Sequence, residues 1–417
     1  MRPTRIRDKK MKKLKLFTIL TLALSAAVLT GCYKMYLSEP EPDTPIVIDP
    51  PEPEPGEILG IPNDSKAGPN PTIGSATTQL PNFQTTVKKE AGHSILSINM
   101  TGIYDQAAKQ WLRLAGTGGS DGNAQNVWLS INGKPKGILV YNSTDGPKLR
   151  AAAFMADVVF LVDNSGSMGE EADAVAEGIV TWATFLEEKS GLDLYFGCVG
   201  YGYNSDVRIY GAIDITDVYS LENYLRYPGK LGINRTLGYD GPNAADLQQW
   251  ANSYGTWVWN GGECGVLALR FADERFSFRN GALRTYVNFT DEPNQPGGNK
   301  EWSVEYVNDQ ENWGASKGTI HTVFSADTTY VYNWSDSYIE RPWLMSEYTG
   351  GTKMFTSSEF DVDLNELPVT GALQNSYEIR AVVDEYMDGR NCVITLTVKD
   401  GYVGGVKSES TILYYAE

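Results

Sequence analysis

The sequence predicts a mixed α/β protein: a doubly wound, mostly parallel sheet inserted in or flanked by a small antiparallel β-sandwich built from both termini. In the middle of the chain, apolar runs such as Asp157–Val162 and Leu283–Phe289 alternate with helical patterns, as buried parallel strands and their covering helices do. At the two ends, runs such as Ser94–Met100 and Cys392–Val398 alternate polar and apolar residues, which is typical of half-buried antiparallel strands. Two separate small β units would give the same terminal pattern.

Residues 1–31 have the layout of an export signal. Lys12 and Lys13 precede an apolar run from Leu16 to Val28, which is too short to span a bilayer comfortably. The run ends in the letters LTGC, and this end resembles the lipobox of lipoproteins from Gram-negative, Bacteroidetes-like bacteria. The resemblance implies cleavage before Cys32 and a lipid on its thiol. Because the next residue is not the Asp that retains many such proteins at the inner membrane, we expect an outer-membrane anchor, on the periplasmic or the cell-surface face.

The rest of the chain divides by composition into a linker and folded segments. Residues 32–73 include the run SEPEPDTPIVIDPPEPEPGE, whose prolines and mutually repelling carboxylates favour an extended stalk. We expect residues 74–150 and 374–417 to form the two parts of the sandwich. Residues 151–373 are expected to form the central α/β domain.

The charge balance argues against a nucleic-acid partner. The 417 residues include 52 acidic and 35 basic side chains, a formal net charge of -17. Outside the N-terminal signal the sequence has no basic block that could neutralise phosphates. We therefore expect two kinds of partner, a membrane through lipidated Cys32 and a protein ligand.

The central region contains four apolar runs and three helical patterns. The longest helical pattern, Glu170–Lys189, places its apolar residues on one broad face. Ligands of such parallel sheets bind at the carboxyl ends of the strands. Besides the two runs named above, the predicted elements are strands at Leu192–Val199 and Thr319–Phe324 and helices at Val266–Ala272 and Pro342–Tyr348.

The first central strand ends in a loop with alternating oxygen-bearing side chains. Residues 163–167 read DNSGS and precede the long helix directly, so Asp163, Ser165 and Ser167 can turn oxygens toward one point. This D-x-S-x-S loop between strand and helix resembles the metal-ion-dependent adhesion site of von Willebrand factor A (vWA) domains. A loop of this composition could by itself be a turn or a helix N-cap.

Two later segments follow in the order of that family. Residues 287–293 (VNFTDEP) are similar to the family's apolar strand ending in T-D-x-P. Residues 348–355 (YTGGTKMF) are similar to the A-x-x-T-G-G-x-x-F segment near the end of the family's domain. The resemblance covers roughly residues 155–373, about half the chain. It implies a divalent cation, Mg²⁺ with Ca²⁺ or Mn²⁺ as alternatives, that offers an open position to an Asp or Glu of a protein ligand. Hydroxyl and carboxylate oxygens suit such a hard cation. The implied metal ligands are Asp163, Ser165, Ser167 and Asp291.

The family's second loop is altered at one position. Residues 261–269 read GGECGVLAL, which keeps the family's glycines and its Ala-Leu but has Glu263 where the family has Thr. We expect Glu263 to join the metal ligands and to make the site more anionic. Thr236 is the alternative for this position, although it lies 55 residues before Asp291 and no helix of the right spacing follows it.

Cysteines remain at positions 198, 264 and 392 after the signal. Disulfides persist in exported proteins, and both the end of the second central strand and the loop at residues 261–265 are expected near the carboxyl edge of the sheet. We therefore predict Cys198 and Cys264 as the disulfide pair, which requires their α-carbons to lie within about 7 Å of each other.

These features predict a surface or outer-membrane lipoprotein that binds a protein ligand through the cation, in adhesion or envelope assembly. The alternative is a structural scaffold lipoprotein of an envelope complex, in which the cation only stabilises loops. We do not expect an enzyme, because neither Ser165 nor Ser167 has a nearby His or Lys in sequence and the G-x-S-x-G pattern is absent.

Overall fold

The computed structural model of the protein describes residues 57–74, 79–105, 108–120, 122–145, 154–169, 171–189, 192–203, 207–227, 229–256, 263–325, 339–356, 367–386, 391–399 and 404–412. The predicted export signal, the lipidated Cys32 and the first part of the predicted stalk lie outside the described residues. Among the helices in these ranges, none is long and apolar enough to cross a membrane.

Short antiparallel strands fill the described chain before residue 143. Two hairpins turn at pairs of residues with positive φ, Ala91 and Gly92 (48° and 86°) and Asn132 and Gly133 (50° and 76°). Such pairs match the twist of a two-residue hairpin. The strands are β1 (Phe83–Glu90), β2 (His93–Met100), β3 (Tyr104–Asp105), β4 (Gln110–Trp111), β5 (Val127–Ile131), β6 (Lys134–Lys136) and β7 (Leu139–Asn142).

Strands and helices alternate through the central region, and three strands follow it. The central elements are β8 (Met155–Asp163), α1 (Ala172–Lys189), β9 (Asp193–Tyr203), β10 (Val207–Thr216), α2 (Val218–Arg226), β11 (Gly238–Asp240), α3 (Ala244–Ala251), β12 (Gly255–Thr256), α4 (Gly265–Arg275), β13 (Leu283–Thr290), α5 (Val304–Asn308), β14 (Thr319–Phe324), α6 (Leu344–Thr349), β15 (Lys353–Phe355) and α7 (Pro368–Gln374). The last three strands are β16 (Tyr377–Val382), β17 (Asn391–Lys399) and β18 (Gly404–Ile412).

The central sheet has the strand order β11-β10-β9-β8-β13-β14-β15, and β12 pairs with β10. Five of these strands, β9, β8, β13, β14 and β15, pair in parallel with one another. Strand β10 is antiparallel to β9, and the sequence prediction did not include it. The predicted mixed α/β class with a mostly parallel sheet is confirmed.

Helices cover both faces of this sheet. Phe160 and Val162 of β8 belong to a core that includes residues of α1, α2 and α7. The alternate residues Val159 and Leu161 belong to the opposite core, with residues of α3, α4, α5 and α6. Because side chains of a strand alternate between the two faces, a strand buried on both sides reads as the continuous apolar run seen in the sequence.

The predicted disulfide between Cys198 and Cys264 is wrong. Both cysteines are buried and have free thiols. Cys198 in β9 lies in the core with α1, whereas Cys264, just before α4, lies in the core on the other face. The sheet therefore separates the two sulfur atoms, although both segments belong to the same part of the fold.

Two four-stranded antiparallel sheets combine strands from before and after the central region. Their orders are β1-β2-β16-β7 and β18-β17-β5-β6. Apolar side chains from both sheets, including Leu96, Leu129, Ile379 and Leu396, belong to one buried cluster. The chain leaves for the central region after β7 and returns at β16, which pairs with β7.

The predicted stalk is too long at its C-terminal end. Within residues 57–73, Ile61 is 1% exposed, and Asp64 accepts hydrogen bonds from the backbone N–H of Gly137 and from the Lys136 ammonium. Asn70 donates to the Thr395 carbonyl at 3.1 Å. This part of the chain therefore packs on the antiparallel strands, because it carries apolar and hydrogen-bonding side chains that the Pro/Glu run lacks.

Candidate metal centre

The loop between β8 and α1 presents the D-x-S-x-S residues at the carboxyl end of the central sheet. Asp163 is the last residue of β8 and is fully buried. Its Oδ1 accepts a hydrogen bond from the backbone N–H of Ser165 at 2.8 Å. The backbone N–H of Asn164 donates to the carbonyl of Tyr201 in β9 at 2.5 Å. The loop is thus tied to β9, and a Cβ at Gly202 would come within 3.1 Å of it.

Asp291 meets this loop from the end of the neighbouring strand β13. The Ser167 hydroxyl donates to Asp291 Oδ1 at 3.1 Å, across 124 positions of sequence, and the hydroxyl oxygens of Ser165 and Ser167 are 2.9 Å apart. The Thr290 hydroxyl donates to Asp163 Oδ2 at 2.8 Å. The four residues predicted at the sheet edge therefore belong to one connected group of oxygens.

Glu263 approaches the same group from the segment before α4. The residue is 7% exposed, and its carbonyl accepts a hydrogen bond from the backbone N–H of Gln295 at 2.7 Å. The negative charges of Asp163, Glu292 and Asp291 act on its carboxyl. The structure therefore brings the residue that departs from the family pattern to the predicted ligands.

Thr236 contacts the loop from the other side, toward β9 and β10. Its hydroxyl donates to Asn164 Oδ1 in a buried hydrogen bond. A Cβ at Gly200 of β9 would meet the same hydroxyl oxygen at 2.5 Å. Glu263 and Thr236 are the two candidates for the position of the family's Thr. The structure brings Glu263 to the carboxylates, whereas the Thr236 hydroxyl donates to the amide oxygen of Asn164.

The carboxyl groups at this edge hold their protons more tightly than usual. Burial, with the Asp291 carboxylate second, raises the pKa of Asp163 above its ordinary value. Burial and the charges of Asp163, Glu292 and Asp291 likewise raise the pKa of Glu263. Burial is also the largest cause of the raised pKa of Asp291 and of Glu292. In the described part of the chain, no Lys or Arg is among the groups that shift these four values.

The chemistry of this group fits a hard divalent cation. All the side chains that meet here offer oxygen, as hydroxyl or carboxylate, and such oxygens are the ligands of Mg²⁺ and Ca²⁺. A cation would also favour the ionised form of these carboxyl groups, whose pKa values are raised by burial and, for Asp163, Glu263 and Glu292, by neighbouring negative charge as well. Across the described ranges, no group of three or more His, Cys, Asp or Glu side chains is arranged to hold a metal ion. The hydroxyls of Ser165 and Ser167 would therefore have to contribute.

Sequence reasoning missed two residues of this edge, Thr290 and Glu292. The Thr290 hydroxyl bonds Asp163 and accepts a hydrogen bond from the backbone N–H of Glu292 at 3.1 Å. Burial and the Asp291 charge raise the pKa of the Glu292 carboxyl. Both residues flank the predicted Asp291, so the letters T-D-E-P could have indicated them as a group.

No protein-family model and no curated protein sequence matches the chain. Solved structures to which the chain shows similarity include proximal thread matrix protein 1 from the mussel byssus, with 12% identity over 53% of this chain and 48% of that chain and a TM-score of 0.29. The pilus adhesin SpaC from Lactobacillus rhamnosus GG, in an open conformation, has 13% identity over 80% of this chain and 55% of that chain, with a TM-score of 0.32. The ArnB paralog VWA2 from Sulfolobus acidocaldarius has 8% identity over 82% of this chain and 74% of that chain, with a TM-score of 0.28.

The chain spans about half the length of the first two of these structures, 48% and 55%. All three TM-scores are below 0.5, so the similarities carry no conclusion about function. Any functional conclusion has to come from the residues at the edge of the sheet.

Proposed function

We propose that the central region is a vWA-type module that binds a divalent cation, Mg²⁺ in the first place, and through it a carboxylate of a protein ligand. The observation that carries the proposal is the hydrogen-bonded group of Asp163, Ser165, Ser167 and Asp291, formed between two loops far apart in sequence. The position at the carboxyl ends of parallel strands supports it, because ligands of such sheets bind there.

Electrostatics favours a cation over other occupants of the site. Four carboxyl groups with raised pKa values lie together without a compensating Lys or Arg among the described residues. Buried carboxylates are tolerated when they are paired or when they coordinate a metal. A bound Mg²⁺ has a preferred set of six oxygens and usually keeps some of its waters, so a partner's carboxylate can replace one of these waters.

Binding is a better use of the two serines than catalysis. The Ser167 hydroxyl donates to a carboxylate and lies against the Ser165 hydroxyl, and among the described residues neither hydroxyl bonds the His or Lys that commonly activates a nucleophilic serine. Both histidines of the sequence are engaged elsewhere, His93 with Asp384 and His321 with Thr352.

The envelope setting is part of the same proposal. A lipid on Cys32 would anchor the chain in the outer membrane, and the Pro/Glu run would separate the lipid from the folded region. The two antiparallel sheets would form one β-sandwich beside the central module, which their shared buried cluster supports. A protein held in this way can serve adhesion or envelope assembly.

Affinity capture from solubilised envelope proteins tests the function. The purified chain is immobilised, and binding is compared in Mg²⁺ and in chelator, with a Ser165→Ala/Ser167→Ala variant beside the wild type. We expect a partner that the wild type retains in Mg²⁺, that elutes with chelator and that the double variant fails to retain. Ser253→Ala serves as a matched control, because Ser253 is exposed and bonds only a local carbonyl.

A partner that stays bound in chelator, and that the double variant retains equally, would contradict cation-dependent recognition. That outcome would select the structural alternative, in which the cation only stabilises loops of an envelope scaffold.

A further inference from the structure

We propose that Glu263 supplies an internal carboxylate to the cation and occupies the position that a partner's carboxylate would otherwise take. The inference rests on the proposed function and concerns its regulation: with Glu263 coordinated the site is closed, and a partner binds only when this side chain is displaced.

The first observation is the environment of the Glu263 side chain. The residue is 7% exposed, and no hydrogen bond or salt bridge from a described residue engages its carboxylate. The charged groups that act on it are Asp163, Glu292 and Asp291. All the charges that act on this carboxylate are negative, and carboxylates brought together in this way are tolerated when they are paired or coordinate a metal. A cation among them would give it the missing partner.

The second observation is the way the backbone fixes this residue. Glu263 forms a parallel bridge with Asn294, and its carbonyl accepts from the Gln295 N–H at 2.7 Å. The Asn294 Oδ1 accepts from the N–H of Val266 at 3.3 Å, in the first turn of α4. Glu263 is thus fastened to the segment that follows Asp291, so its carboxylate and that of Asp291 are held at the same edge.

Asn294 is itself held in place by a third segment. Its Nδ2 donates to Glu340 Oε2 at 2.7 Å and to the Trp302 carbonyl at 3.0 Å. Backbone hydrogen bonds of 3.0 and 2.9 Å join Asn294 and Glu340 in both directions. A ligand that is positioned before the cation binds loses little conformational freedom on binding. The internal carboxylate therefore has an advantage over a free external one.

Charge adds to this advantage. The carboxylates of Asp163, Glu263, Asp291 and Glu292, when ionised, outnumber the two positive charges of a divalent cation, so the occupied site stays anionic. A partner's carboxylate gains little attraction from an anionic site. With Thr at this position, as in the family pattern, one negative charge would be absent and one coordination position would be open.

Mn²⁺ is the probe that tests the inference, because water-proton relaxation reports how many exchangeable waters the bound ion keeps. The experiment compares the wild type with Glu263→Gln, which keeps the shape of the side chain and removes its charge. Glu292→Gln is the matched control, since it removes a charge at the same edge from the residue after Asp291. Circular dichroism and the thermal midpoint check that each variant folds.

We expect Glu263→Gln to bind Mn²⁺ about 10-fold to 100-fold more weakly and to leave an additional exchangeable water on the bound ion. Acetate should then replace that water in Glu263→Gln but not in the wild type. Glu292→Gln should bind more weakly than wild type without the additional water and without the response to acetate.

Two results would overturn the inference, and they differ in what they say about the proposed function. If the wild type binds Mn²⁺ and Glu263→Gln shows the same affinity, relaxation and indifference to acetate, the cation site exists and Glu263 is not its ligand. If the wild type binds no Mn²⁺, both the inference and the proposed cation site are wrong.

Discussion

Asp163 is the residue in which the fold and the proposed function meet. It ends β8, it is fully buried, and its two oxygens accept hydrogen bonds from the Ser165 N–H and the Thr290 hydroxyl. Those hydrogen bonds stabilise the ionised carboxylate, whereas burial and the Asp291 charge oppose it and prevail, so the pKa is raised. Without a cation, the residue is therefore a source of instability at neutral pH.

We predict that this carboxyl lowers the stability of the cation-free protein as the pH rises. Burial, with the Asp291 charge second, raises its pKa from the ordinary 3.8 to about 7 in the folded protein, so between these values the folded state holds a proton that the unfolded state has released. Each rise in pH within this window then favours unfolding. In chelator, the thermal midpoint of Asp163→Asn minus that of the wild type should therefore increase from pH 4 to about pH 7.

Saturating Mg²⁺ should remove most of this pH dependence in the wild type and leave Asp163→Asn unchanged, because a cation favours the ionised carboxylate. A constant difference between the two midpoints across the window in chelator would contradict the assigned environment of Asp163.

At the scale of elements, the site depends on three segments that the sheet and its connections bring to one edge. The carboxyl ends of β8 and β13 are neighbours because these strands pair in parallel, Phe289 opposite Val162. The segment before α4 joins them through the bridge between Glu263 and Asn294. A parallel sheet places the ends of its strands together, which is why the sequence could predict Asp163 and Asp291 as one group.

Other elements could not be predicted, for physical reasons. Strand β10 is half exposed at its start, where Arg208 is exposed between the buried Val207 and Ile209, so it lacks the continuous apolar run of the parallel strands. Cys198 and Cys264 were predicted as a pair from the edge they share, but that edge has two faces. Cys198 lies in the core with α1, whereas Cys264 precedes α4 and lies in the core on the opposite face.

We predict that Asn294→Ala lowers the free energy of unfolding by about 1–3 kcal/mol, the cost of leaving buried hydrogen-bonding groups unpaired. Asn294 is 1% exposed and bonds Val266, Trp302 and Glu340. Urea denaturation measures the change. Asn308→Ala is the control, because Asn308 is exposed at the end of α5 and bonds only its own helix.

Equal denaturation midpoints for Asn294→Ala and the control would mean that Asn294 does not join the segments of Glu263, Asp291 and Glu340 in solution.

At the scale of the whole molecule, the central region connects to the flanking strands at adjacent positions. Asn142 of β7 is opposite Tyr377 of β16, on either side of the central elements. The Asp157 carboxylate, buried in β8, is paired with Arg279 at 2.6 Å. The sequence predicted strands on both sides of the central region, but pairing between β7 and β16 depends on contacts across more than half the chain and was beyond a reading of local patterns.

We predict that Cys32→Ser releases the protein from membranes, since the lipid on this thiol is the proposed anchor. Cells that produce the wild type and the variant are fractionated, and the protein is followed in membrane and soluble fractions. Cys392→Ser is the control for loss of a cysteine elsewhere in the chain. Full retention of Cys32→Ser in the membrane fraction would contradict the lipoprotein assignment and leave the cation site untouched.

Calorimetric titration of Mg²⁺ into the purified chain tests the central claim most directly. We predict one Mg²⁺ site in the wild type and an affinity at least about tenfold weaker in Asp291→Asn. This substitution keeps the size of the side chain and removes a charge beside the Ser167 hydroxyl. Asp246→Asn, an exposed acidic residue in the first turn of α3, should bind like the wild type. Absence of saturable binding in the wild type, or equal affinity in all three proteins, would contradict a cation site at Asp163, Ser165, Ser167 and Asp291.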